Sequence, residues 1–185
     1  NLGKEVVICN DTPGFIGNRI GTYWTLVGMI EAFKLGLTVE EADAVMGRPI
    51  GAPKTGIFGL VDVVGLDLIP HVTESMSSNL SIEDLYNDGV KEQEALGIDK
   101  LLQEMIVSGY TGRKGKGGFY RLNTEGGKKI KESRNLVSGN YSPSNRRVGL
   151  ESVKAAKKGL RTLVEYNDKG GNYAWKVLSK TLSYL

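Results

Sequence analysis

Residues 11–36 read DTPGFIGNRIGTYWTLVGMIEAFKLG. Thr12 can cap a helix, and Pro13 suits a first helical position, where a backbone N–H has no partner to lose. Apolar residues then fall at Ile16, Ile20, Tyr23, Trp24, Val27, Ile30 and Phe33. Spacings of three and four place them on one side of a long helix. Gly36 is its stop signal. A helix of this length sets the expectation of a mainly α chain.

Upstream, Glu5-Val6-Val7-Ile8-Cys9 is a short β-rich run, expected to be the last strand of a preceding sheet or a linker from one. Downstream, Thr38-Val39-Glu40-Glu41 is a capping box, with Ala42, Val45 and Met46 giving its short helix an apolar side. Gly47, Pro49, Gly51 and Pro53 then interrupt the pattern, and Gly56 borders the next helix. Close apolar flanks make this a shaped loop rather than a linker. Ile57, Leu60, Val61 and Val64 mark one helix; Gly65 and Asp67 break and recap it, and Leu68, Ile69, Val72 and Met76 carry on inward. Residues 77–99 are polar with weak signals. Asp99 is expected to cap a helix over 100–107 that Gly109 closes. Residues 119–122 read as a strand, with a turn at 125–127 and a weak return at 128–131. Residues 133–145 read as loop. A helix marked by Leu150, Val153, Leu160, Leu163 and Val164 runs up to Asn167. The last one starts near Asn172, with Trp175, Leu178, Leu182 and Leu185 expected inward.

The composition narrows the chemistry. With 185 residues, 40% hydrophobic and 24% charged, the chain matches a globular protein able to bury its own core. One cysteine, Cys9, excludes an internal disulfide framework and a multi-cysteine zinc site, and is expected to be a packed thiol. One histidine, His71, excludes a His-rich metal site; with only Glu74 near it in sequence, it reads as a surface residue. No metal site is expected. No apolar run is long enough to span a membrane. The chain starts without Met or a signal-like apolar block, so cytoplasm is the expectation.

Charge is unevenly distributed. Residues 1–108 hold seven Lys and Arg against sixteen Asp and Glu, a net −9. Residues 109–185 hold seventeen against five, a net +12. The halves can attract each other, or the basic half can meet a polyanion such as a phosphate-bearing ligand or a nucleic acid; it can also be a solvated face.

Two features invite a functional reading. Asn18 lies about one turn inside the first helix, off its most regular apolar face, where an amide can meet a ligand without ionising or simply face solvent. The basic glycine loop Gly112-Arg113-Lys114-Gly115-Lys116-Gly117-Gly118 suggests phosphate, but its spacing fits neither standard loop. A P-loop needs Gly five places before the Gly-Lys pair and Ser or Thr after it; here those places hold Tyr110 and Gly117. A dinucleotide fingerprint needs a third glycine where Tyr120 stands. A structural turn leading into the 119–122 strand is the favoured reading, and no cofactor-binding residue is assigned.

Three blocks then carry a resemblance. Residues 10–20, Asn10-Asp11-Thr12-Pro13-Gly14-Phe15-Ile16-Gly17-Asn18-Arg19-Ile20, are similar to the segment that opens the C-terminal domain of 3-hydroxyacyl-CoA dehydrogenases. Gly47-Arg48-Pro49-Ile50-Gly51, running on to Asp62-Val63-Val64-Gly65-Leu66-Asp67, resembles that family's Gly/Pro loop and following helix. The 112–118 loop with Phe119-Tyr120 resembles its late glycine block. The longer Ala52–Phe58 segment and the basic tail are similar to the large bacterial members of fatty-acid β-oxidation, which carry a fused enoyl-CoA hydratase region and a second, degenerate copy of this helical domain.

The resemblance implies a mainly α, multi-helix fold like the C-terminal domain of 6-phosphogluconate dehydrogenase, with one short β-hairpin. It implies a junction with a Rossmann domain at 1–10, the helical domain at 11–122, and a basic extension at 123–185 that leads towards a possible second copy. It implies an acyl-CoA substrate, NAD held by the upstream domain together with a catalytic His–Glu pair, and a homo-oligomer. Asn18 is the one residue here that matches a family active-site position, where it would position the substrate's C3 oxygen. The rival readings are a basic nucleic-acid-binding module, which lacks a helix-turn-helix or aromatic-basic signature, and a pure interaction domain. Without a dinucleotide loop or a paired general base, the isolated chain is expected to turn nothing over. Acetoacetyl-CoA with NADH should show no protein-dependent loss of absorbance.

Overall fold

The computed structural model describes residues 3, 5–145 and 147–185. Among them are α1 (Gly17–Leu35), α2 (Val39–Val45), α3 (Phe58–Val64), α4 (Leu68–Asn79), α5 (Leu85–Ala95) and α6 (Ile98–Val107). Strands β1 (Tyr120–Asn123), β2 (Ile130–Arg134) and β3 (Tyr141–Pro143) follow, then α7 (Glu151–Ala155), α8 (Leu160–Val164) and α9 (Lys169–Ser183). The fold is mainly α, as expected. The expected hairpin is the β1–β2 pair, with Tyr120 opposite Ser133 and Asn123 opposite Ile130. It is part of a three-stranded antiparallel sheet, because the stretch read as loop supplies β3, with Ser142 opposite Ser133.

The helix α1 is the centre of the molecule and packs most extensively on α9, then on α5. Gly28, without a side chain, lets α1 lie close to Ile57 at the start of α3, and its carbonyl bonds to α9. A Cβ there would lie 2.6 Å from Ile57 Cδ1, and the Gly28 carbonyl accepts from Tyr173 Oη at 2.9 Å. The capping box of α2 forms as read: Thr38 Oγ1 accepts from Glu41 N–H, and the Glu41 carboxylate accepts from Thr38 N–H at 2.9 Å. Phe58 and Phe119, both fully buried, meet edge to face at 4.7 Å and join α3 to the start of the sheet.

Several local expectations change. The segment at 5–9 forms no strand and is exposed, since a ladder needs a partner and none lies beside it among the described residues. Cys9 is accordingly exposed, not packed. The first helix begins at Gly17, not at Thr12 and Pro13, because Gly14 (φ 75°) and Phe15 (φ 50°) turn the chain through the left-handed region first. The 77–99 stretch contains α5, capped by Asp84, which accepts from Tyr86 N–H. The cap of α6 is Gly97, with Asp99 inside the first turn. The helix read through 150–167 is two short ones, parted at Gly159 (φ 126°), a conformation a helix cannot contain. The last helix starts at Lys169, with Asp168 accepting from Gly171 N–H. Its inward side carries Tyr173, Ala174, Val177 and Thr181, while Trp175 (59%), Leu182 (66%) and Leu185 (72%) are exposed, opposite to expectation.

Two buried carboxylates tie the helices to the sheet. Asp43 accepts from Phe58 N–H at 2.7 Å, Gly59 N–H at 2.9 Å and the Tyr120 hydroxyl at 2.9 Å. Asp62 accepts from Phe119 N–H at 2.7 Å and Tyr120 N–H at 2.8 Å. Burial pushes Asp43 up to about 7 and Asp62 up to about 6, against the pull of these donors. An acid raised on folding makes the native state bind more protons than the unfolded chain. Its contribution is full below about pH 4 and falls as pH rises through 6 and 7. Asp43→Asn should therefore remove part of the decline in unfolding free energy between pH 4 and 7, read from urea titrations. Asp62→Asn turns an amide N–H against a backbone N–H. It should cost about 3 kcal/mol, seen as a Tm lower by roughly 6–12 °C.

Candidate active site

A groove runs along α1. The helix contributes Asn18, Gly21, Thr22, Thr25 and Met29; α3 adds Leu60, Val61 and Val64; α4 adds Ile69 and Val72; and α5 adds Tyr86 and Gln93. Its volume is about 240 Å³. Glycines at 17 and 21 keep the α1 wall low near the mouth. The threonine hydroxyls turn back onto their own helix, Thr22 Oγ1 donating to the Asn18 carbonyl at 2.8 Å and Thr25 Oγ1 to that of Gly21 at 2.8 Å. With its hydroxyls bonded to helix carbonyls, each threonine adds less free polarity to the wall than its composition suggests. Tyr86 is buried beneath, and burial raises its phenol above the ordinary range while bonds with Thr73 and Thr22 pull it back.

Asn18 sits exposed at the mouth, and its amide makes no hydrogen bond among the described residues. Arg19, its neighbour, is committed elsewhere. It pairs with Asp84 and donates through Nε to Tyr184 Oη at 3.0 Å, and Tyr184 stacks on Tyr23 at 3.9 Å. One residue of the turn thus fastens α1 to α5 and α9, and the side chain of the other is left without a partner among the described residues. His71 is exposed on α4 with no carboxylate partner among the described residues, which bears out the surface reading.

The glycine loop is structural in this fold. A Cβ on Gly118 would collide with Asp62 Oδ1, Gly112 N–H donates to Gly117 C=O at 2.8 Å, and Gly118 N–H to Tyr120 C=O at 2.9 Å. The N–H groups of residues 112, 113, 115, 116 and 118 are bonded to backbone carbonyls of the fold rather than offered to a phosphate. Among the described residues no cluster of three His, Cys, Asp or Glu is placed to hold a metal, and no helix is long and apolar enough to cross a membrane. Tyr86 and Gln93 escape a reading from sequence because α5 does; the capping Asp84 ahead of Leu85, Tyr86 and Val90 was the available signal.

A mainly α domain with an apolar groove and a free amide at its mouth can take an aliphatic group out of water and offer it one hydrogen bond. Residues 14–122 match the 3-hydroxyacyl-CoA dehydrogenase C-terminal domain, and the chain belongs to that family. It is 34% identical over 184 residues to a Rickettsia prowazekii protein named as a fatty acid oxidation complex trifunctional enzyme, covering all of this chain and 24% of the relative. A Rickettsia felis protein of the same name is 39% identical over 184 residues, again with 24% of its length covered. A Bacillus subtilis protein named as a 3-hydroxyacyl-CoA dehydrogenase is 37% identical over 188 residues, with 99% of this chain and 22% of the relative covered. The chain thus spans about a quarter of the length of these relatives. No solved structure matches it significantly.

Substituting the groove wall should show whether it is an apolar container. Val61→Asp, which places a charge against Met29 and Leu60, should destabilise the fold by about 3 kcal/mol. Asn18→Asp at the exposed mouth should leave Tm within about 2 °C in the same thermal melts.

Proposed function

We propose that this chain is the substrate-binding and dimerisation domain of an NAD-dependent (3S)-3-hydroxyacyl-CoA dehydrogenase of fatty-acid β-oxidation, working in the cytoplasm. The observation that carries the reading is the unpartnered Asn18 amide at the open end of the apolar groove. An amide there donates to the C3 oxygen of a 3-hydroxyacyl or 3-oxoacyl group and stays neutral through the reaction. The groove wall takes the acyl chain out of water, which is worth about 0.8 kcal/mol per methylene fully buried. These residues do not fit NAD: the chain has no Gly-x-Gly-x-x-Gly, and most amides of the basic glycine loop are bonded to the fold's own carbonyls. NAD and the base that takes the hydroxyl proton belong, in this reading, to a domain outside the 185 residues, against which the Asn18 end of α1 would sit.

Asn18→Ala, made in the enzyme assembled with its NAD-binding domain, should lower kcat/KM by about 10- to 200-fold through loss of one desolvated hydrogen bond. The pH profile should keep its shape, because no titrating group is lost. Wild-type rates with a C4 substrate would favour the pure interaction-domain reading instead.

Dimerisation rests on the outer face of α9. Trp175 and Leu182 stand seven residues apart on an exposed stripe of α9, and Leu160 is exposed as well. Sedimentation at high concentration should show a dimer, and Trp175→Asp with Leu182→Lys should return it to monomer.

A further inference from the structure

The groove becomes steadily more enclosed away from its mouth. Asn18 is exposed, Thr22 and Thr25 are half-buried, and Leu26 and Met29 are only 4% and 2% exposed. The helix α5 runs beside α1 in the same direction: Asp84 pairs with Arg19, Gly89 faces Leu26, and Glu92 pairs with Lys34. That register puts Gln93 at the Met29 end. Asn18 and Met29 are eleven residues apart on α1, about 16 Å at the helical rise.

Gln93 is 5% exposed and lines the groove, and its amide forms no hydrogen bond among the described residues. Neither polar atom of its amide is both fully buried and unpaired, so the amide keeps access to water through the groove. Around it the end of the groove is made of Leu26, Met29 and Val61. An unpaired amide in that place meets whatever reaches the end of the groove.

We propose that Gln93 determines chain-length selectivity, as a polar stop at the closed end of the acyl groove. The proposal rests on the acyl-binding reading above. A chain that ends short of Gln93 leaves the amide hydrated. A chain that reaches it strips that hydration and offers only a methyl group in return, so long chains are disfavoured by the desolvation of one amide.

The test is calorimetric titration of the 185-residue chain with butanoyl-, octanoyl-, dodecanoyl- and hexadecanoyl-CoA. In Gln93→Leu the affinity for hexadecanoyl-CoA relative to octanoyl-CoA should rise about 10- to 100-fold, while octanoyl-CoA affinity stays within about threefold. Gln93→Met, unbranched and matched in length, should do the same, and is the second variant if Gln93→Leu fails to fold. Gln93→Asn keeps an amide and should keep most of the selectivity. An unchanged ratio in a folded apolar variant overturns the proposal alone, as does an equal shift at every chain length, the result expected if Gln93 merely packs. If none of the four thioesters binds wild type or variant, the acyl-groove reading fails and this proposal with it.

Discussion

Tyr120 stands between two buried carboxylates, and much of the fold is arranged around that placement. Its N–H donates to Asp62 and its hydroxyl to Asp43. The N–H groups of Phe58 and Gly59 also donate to Asp43, and that of Phe119 to Asp62. A buried carboxylate without donors is prohibitively unfavourable, so these positions must come together for either acid to be inside. Satisfying them fixes α2, α3, the glycine loop and β1 at one point. The consequence reaches the groove. With Asp62 turned toward the sheet, Leu60, Val61 and Val64 of the same short helix are left to wall the groove.

The glycine loop owes its composition to the same arrangement. Its backbone comes so close to Asp62 that side chains at 112 and 118 would strike it. The glycines answer to this packing, which is why the spacing matches neither phosphate-binding pattern. The lysines and arginine of the loop are exposed around that core.

The charge asymmetry of the chain also acts within it. Glu31, almost fully buried on α1, receives Lys180 at 2.6 Å and Lys176 at 3.5 Å from α9. Glu40 accepts from Ser133 and from Asn145 N–H at 3.0 Å, joining α2 to the sheet region. The acidic first half and the basic second half therefore meet at defined contacts. Other cations of the basic half are paired locally, as Arg121 is with Glu132 and Arg161 with Glu165.

What the sequence by itself determined is what short-range chemistry controls. The α2 capping box, the period of α1, the break at Gly65 and the β1–β2 turn are legible because their partners lie within a few residues. The mainly α class follows from these. Other features depended on distant partners. The stripe of Trp175, Leu178 and Leu182 has a helical period and reads as inward. The structure instead buries the side with Gly170, Gly171 and Ala174, where the glycines let the start of α9 lie close to Leu150, Ser152, Leu163 and Tyr166. The helix α5 gave a weak signal because it buries a glycine against Leu26 and a glutamine in the groove, rather than an apolar stripe. Asn18 could be singled out by type and motif. Its place at the mouth of a groove exists only once α3, α4 and α5 fold over α1, through contacts between residues tens of positions apart that no local periodicity records.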